Sequence, residues 1–144
     1  MLIHPFQRPN CLAGQGPPLE AGRQMIPAER VVSIHPYFRV NPGKMAEAKN
    51  LLHEMVARTA TETANLYYDF TINRDSVFCR EAYVEAEGLL NHLDNVGPVL
   101  SQFLTIAALT RVEVHGTRPN LDKLRDALAD LKPDWFVFEC GVMR

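Results

Sequence analysis

Two side chains stand where proton chemistry would need them. Glu81 lies at the centre of the β-prone run Val77 to Val84, and His92 follows Tyr83 by nine residues, at the edge of a stripe formed by Leu89, Leu90 and Leu93. A carboxyl group among apolar neighbours is desolvated, so its pKa rises and it can act as general acid or base near neutral pH. A neutral imidazole beside it can take a proton from a phenol or an enediol. Tyr68 and Tyr83 have hydroxyls that can orient such a substrate, and Phe70 and Phe103 supply aromatic walls for it. Each residue also has a purely structural reading. Glu81 can close a hydrogen bond with His92 or Tyr68, His92 can be a satisfied boundary residue, and the tyrosines can be core aromatics.

Other chemistry is poorly provided for. No HxH, HxxxH or HExxH spacing occurs, so no metal site is expected. No GxGxxG or GxxxxGK[ST] loop offers a phosphate cradle, and no GxSxG elbow suggests acyl transfer. No cofactor is expected. His35, Tyr37 and Arg39 share one face of a strand and read as a dimer-interface network, and Asp69 with Arg80 reads as a structural ion pair at that interface or its rim. His53 reads as solvated, His115 as a turn residue, and Cys79 as buried and unreactive.

These residues need elements to position them. Val31 to Val40 alternates, with Val32, Ile34, Phe38 and Val40 on one face, which predicts a strand. Pro36 removes a ladder donor and places that strand at an edge or a bulge. Asn41 and Pro42 read as N-cap and first residue of a helix of about 17 residues through Met45, Ala48, Leu52, Met55, Val56 and Thr59. Asn65 to Asn73 and the run from Val77 form a hairpin about Arg74-Asp75, with Asn73 opposite Ser76. That register sets Asp69 against Arg80 on one face and Tyr68 against Glu81 on the other. Leu66, Tyr68, Phe70, Ile72, Val77, Cys79 and Tyr83 then surround the single carboxylate of Glu81. A second helix from Glu85 is expected in two pieces, broken at Gly97-Pro98, and Ala108 to His115 is a fourth strand. A helix over Pro119 to Asp130 and a β-prone run over Trp135 to Val142 follow.

The order β-α-β-β-α-β is the ferredoxin-like pattern. With Val40-Asn41-Pro42-Gly43-Lys44, Tyr68-Asp69-Phe70, Phe78-Cys79-Arg80-Glu81-Ala82-Tyr83 and His92, the stretch from Val31 to His115 resembles the antibiotic biosynthesis monooxygenase family. The resemblance implies an α+β fold, a ferredoxin-like dimeric α+β barrel, here with an extra C-terminal helix and strand. It also implies a homodimer and a cofactor-independent monooxygenase acting on a small aromatic or quinol-like substrate. Glu81 matches the family's frequent glutamate of the third strand, Tyr83 an aromatic position, and His92 the histidine of the second helix. Heme-degrading members carry a tryptophan and, ten residues later, the iron-ligating histidine, where this chain has His92 and Gln102. An amide is a poor axial ligand, which argues against heme degradation.

Length and charge agree with one ordinary domain. The chain has 144 residues, 47% of them apolar, and a formal charge of -2 from 15 basic and 17 acidic side chains. It offers no basic field for nucleic acid and no apolar run long enough to span a membrane. Residues 1–28 read as a loose arm, 29–116 as the ferredoxin-like domain and 117–144 as its extension. Three cysteines without a CxxC pair suit a reducing cytoplasm. Two alternatives to the monooxygenase stay open: an isomerase or cyclase using the same acid/base pocket, and a non-catalytic dimeric ligand-binding protein. A cavity of about 300 Å³ or more touching Glu81 and His92 would count against the last.

Overall fold

In the computed structural model, which describes residues 25–144, a five-stranded sheet has the order β2-β3-β1-β4-β5. The strands are β1 (Val31–Val40), β2 (Asn65–Asn73), β3 (Ser76–Val84), β4 (Ala107–Gly116) and β5 (Asp134–Val137), and the helices are α1 (Met45–Thr59), α2 (Glu85–Phe103) and α3 (Arg118–Leu128). β1 to β4 are antiparallel neighbours in the ferredoxin-like order, and β5 adds to β4 in parallel within the same chain. The fold is α+β, as expected. Of the arm expected over 1–28, residues 1–24 lie outside the described residues.

The hairpin register is the expected one: Asn73 faces Ser76, Asp69 faces Arg80 and Tyr68 faces Glu81. A two-residue connection leaves no other pairing that keeps Val77, Cys79, Glu81 and Tyr83 on the buried face. β1 is central and takes the bulged alternative of the two expected from Pro36: its pairing with β3 skips His35 and Pro36, and its register with β4 shifts at Tyr37/Phe38. The sheet thus absorbs the missing Pro36 donor as an irregularity. α1 begins at Met45, not at Pro42, because Gly43 turns the chain at a φ of 77°, a left-handed value open to glycine.

α2 is one continuous helix through Pro98, not two pieces. Val96, Val99 and Phe103 are buried on both sides of the proline, and this packing holds the helix together across the lost backbone bond. His115 lies within β4 and stacks on Phe136 with ring centroids 4.4 Å apart, so it is not a turn residue.

Of the residues after Gly116, α3 is part of the core. Leu121, Leu124 and Leu128 of α3 are fully buried with Val32, Tyr83, Leu89 and Val114. Buried Asn120 caps α2: its Oδ1 accepts from the Ala86 amide at 2.9 Å, and its Nδ2 donates to Glu85 at 3.0 Å. Glu85 opens α2 at a φ of 61°, strained for a residue with a side chain, and its bonds to Asn120 and Arg30 hold it there. No helix among the described residues is long and apolar enough to cross a membrane.

Candidate functional site

The helix-covered face of the sheet brings Glu81 and His92 together. Glu81 reaches that face by strand alternation, and His92 reaches it because α2 runs close over β3. Gly88, one turn before His92, makes that approach possible: a Cβ there would lie 3.0 Å from Ala64 Cβ and 3.1 Å from Tyr83 Cβ. His92 Nε2 lies 3.3 Å from Glu81 Oε2, with both side chains almost wholly buried. The Tyr83 hydroxyl donates a short hydrogen bond to the same carboxyl oxygen.

The other imidazole nitrogen has a partner absent from the sequence reading. His92 Nδ1 lies 2.9 Å from Glu62 Oε1, and the Glu62 side chain is only 3% exposed. Glu62 follows the last turn of α1, where its amide donates to Thr59 O at 3.0 Å. Asn95, one turn beyond His92 on α2, steadies the same carboxylate with a 2.9 Å bond from Nδ2. Its position in an irregular loop gives Glu62 no periodic signature; only a wish to satisfy His92 would point to it.

Burial sets the charge states. Desolvation raises the Glu81 pKa to about 8, against the lowering effect of the Tyr83 and Cys79 hydrogen bonds. Desolvation also lowers the His92 pKa, and it outweighs the opposing pull of Glu62. At neutral pH the site therefore holds a protonated Glu81 and a neutral His92 that donates Nδ1–H to Glu62, leaving the Nε2 lone pair toward Glu81. The two carboxyl groups within reach of the ring do not charge it, because desolvation outweighs the Glu62 attraction. Burial likewise raises the pKa values of Tyr68, Tyr83 and Cys79, so these groups stay protonated.

Glu81 and His92 open onto a cavity of about 70 Å³, walled by Tyr68, Phe70, Met55, Ile34 and Leu100 among others. Its walls are almost entirely apolar apart from the two reactive groups. Leu131, just past α3, also lines it. The volume falls below the roughly 300 Å³ of small-molecule sites and below the roughly 150 Å³ that admits benzene. The Tyr68 ring packs against His92 at 4.9 Å and against Phe70 at 5.1 Å. Two of the expected substrate contacts do not line the cavity: Phe103 packs edge-on to Phe38 at 5.1 Å, and Tyr83 is fully buried, bonding Glu81 and packing on the His92 ring at 4.8 Å.

On the opposite sheet face, His35 and His115 lie 4.9 Å apart, with Ser33, Tyr37, Phe78 and Glu113 around them. Arg80 grips Asp69 with bonds of 3.0 and 3.1 Å, and both are exposed in the single chain. His53 is exposed, and Cys79 is buried. Among the described residues no group of three or more His, Cys, Asp or Glu side chains is arranged to hold a metal ion.

No family model matches the chain, and no curated protein matches its sequence. Solved structures do. MupZ from Pseudomonas fluorescens is 38% identical, with a TM-score of 0.76, over 80% of this chain and 95% of MupZ. SnoaB, a cofactor-independent oxygenase from Streptomyces nogalater, is 15% identical with a TM-score of 0.54 over 62% of this chain and 94% of its own. A Caulobacter crescentus protein assigned to the antibiotic biosynthesis monooxygenases is 19% identical with a TM-score of 0.55, over 61% and 90%. The two distant matches share the fold. The chain belongs to the same family as MupZ, within the antibiotic biosynthesis monooxygenase-like fold.

Proposed function

We propose that the protein is an acid–base enzyme of the antibiotic biosynthesis monooxygenase type, acting without a cofactor on a small aromatic or quinol-like molecule. The observation that supports this most is the buried relay Glu62–His92–Glu81–Tyr83 ending on an apolar cavity. The cavity of about 70 Å³ does not reach the roughly 300 Å³ that would count against a non-catalytic binding protein, so the support lies in the chemistry of a buried carboxylate, imidazole and carboxyl group in line at its wall. His92 Nε2 takes a proton from the substrate, and the Glu62 carboxylate offsets the positive charge that develops on the ring. The bonding electron pair stays on the substrate as a carbanion. In the oxygenase reading that carbanion gives one electron to dioxygen, the radical pair combines to a peroxide, and loss of water leaves a carbonyl. A methylene group and one O₂ thus become a carbonyl group and one H₂O. Protonated Glu81 supplies the proton for the leaving oxygen and recovers one from His92.

Oxygen uptake with a hydroxyanthrone or a quinol tests this reading. Turnover should disappear in His92→Ala while the fold is retained, and equal turnover in that variant removes His92 from the mechanism. One observation favours a second reading, an isomerase or cyclase. The site holds a neutral acid and a neutral base at once, which is what moving a proton between two positions requires. Product formation without oxygen consumption selects it.

The uncovered sheet face is proposed to pack on a second copy of the chain. Tyr37, Tyr67 and Phe136 are exposed there at 37%, 47% and 43%, beside the His35–His115 pair. An aromatic patch of this kind is a poor solvent surface and suits a self-complementary two-fold contact. Sedimentation at micromolar concentration should give twice the monomer mass, and a monomer overturns the assignment. A reducing cytoplasm suits the unpaired Cys79 and Cys140.

A further inference from the structure

The cavity on His92 and Glu81 is smaller than the molecules its chemistry calls for, and its outer wall shows where more room lies. Tyr68 and Phe70 line the cavity of about 70 Å³ and also the inner side of an open groove of about 440 Å³ between α1 and the edge strand β2. Two side chains thus separate the reactive groups from a space that reaches the usual range of small-molecule sites, roughly 300 to 1,000 Å³. Because Tyr68 packs directly on the His92 ring, a change of its rotamer would join the two spaces at the reactive end.

The groove has its own chemistry. Leu52, Val56 and Ile72 give it apolar walls, and Val56 and Ile72 are 40% and 43% exposed. Lys49 and His53, one turn apart on α1, stand at its rim. Lys44 and Arg58 on or beside the same helix are paired with Glu47 and Glu54, whereas Lys49 has no ion-pair partner among the described residues. Asp69 also lines the groove, but its charge is held by both bonds from Arg80. The groove is therefore apolar inside and positive at one rim.

A rival entrance lies behind Leu109, Val112 and Leu131, which the cavity shares with a recess of about 280 Å³. That recess is walled by Thr110, Arg111, Lys132 and Asp134, and Arg111 is already committed to Asp134 at 3.6 Å and to Glu113 at 2.9 Å. Its Lys132 is, like Lys49, outside any ion pair among the described residues, but it stands among Thr110, Arg111 and Asp134 and the recess offers an apolar molecule little surface.

We propose that the groove between α1 and β2 is the outer half of the substrate site, with Tyr68 and Phe70 as the gate between the halves. The ligand is a small apolar molecule bearing one anionic group. Its apolar end passes the gate toward His92, and its anion stays at the rim on Lys49. This rests on the acid–base reading only for the identity of the reacting end.

Binding of 1-naphthoate and of its uncharged analogue 1-naphthalenemethanol, followed by calorimetry and amide NMR at pH 7, tests the assignment without turnover. Naphthoate should shift the amides of Lys49, Val56 and Tyr68. Lys49→Ala should weaken naphthoate at least fivefold and leave naphthalenemethanol unchanged. Val56→Trp, which fills the groove from an exposed position, should weaken both about tenfold, and Lys132→Ala, in the rival recess and outside the cavity wall, should change neither. Absence of binding, binding untouched by Lys49→Ala and Val56→Trp, or loss only in Lys132→Ala overturns the proposal. Normal naphthoate binding in a protein without His92-dependent turnover would instead count against the acid–base reading and leave the groove standing.

Discussion

His92 and His35 lie on opposite faces of one sheet, and burial lowers the pKa of both. Their surroundings then diverge. His92 has a buried carboxylate on Nδ1, a second carboxyl group at Nε2 and an apolar cavity at its side. His35 bonds the Ser33 hydroxyl at 3.0 Å, and after desolvation its largest electrostatic influence is another histidine, His115. A lowered pKa is thus common to a proposed base and to a surface ring, and does not distinguish them. The distinction comes from a partner able to take up positive charge and from space in which a substrate can stand.

The largest difference between the two histidines should be in turnover. His92→Ala is expected to lower kcat by about 10² to 10⁴, the usual contribution of a general base, while His35→Ala leaves kcat within about twofold. Equal losses would erase the comparison.

Glu81 sharpens it through stability. Its carboxyl ionises near 4.5 when unfolded and near 8 when folded, so between those values the native state holds more protons. Stability should therefore fall as pH rises from about 4.5 to 8, by a few kcal/mol in all. The lowered pKa of His92 acts in the opposite sense, with stability lost as pH falls below 6.5. Thermal melts of Glu81→Gln should lose the decline and exceed the parent in Tm at pH 8. An unchanged pH profile would mean that Glu81 is ionised in the folded protein.

Glu62→Gln keeps the shape of its partner but removes the charge. We expect kcat to fall at least tenfold with little change in KM, and the basic group in kcat/KM to titrate at lower pH. A purely structural Glu62 would lower stability and leave that profile where it was. The smallest effect belongs to the exposed pair across the hairpin: Asp69→Asn should cost less than about 1 kcal/mol in denaturant unfolding.

Legibility in the sequence followed the range of the forces involved. A two-residue hairpin and strict alternation placed Tyr68 against Glu81 and Asp69 against Arg80, because nearest-neighbour geometry decides both. The continuity of α2 through Pro98 was not legible, since it depends on burial of Val96, Val99 and Phe103 against elements distant in the chain. Phe103 packs on Phe38 outside the cavity lining, and helical spacing gives its face but not which part of that face meets a cavity. Glu62 escaped because it sits 30 residues from His92 in an irregular loop, where no period marks a side chain. The leucine stripe of α3 is legible as a helix of the C-terminal extension, but that Leu121, Leu124 and Leu128 complete the core behind Tyr83 depends on contacts distant in the chain.

The proposed chemistry turns on the protonation of one ring, which nitrogen-15 NMR of the His92 imidazole reads directly. The ring should be neutral at pH 7, with the proton on Nδ1, facing Glu62, and an unprotonated Nε2. A doubly protonated ring at pH 7, or a neutral ring carrying its proton on Nε2, would contradict it.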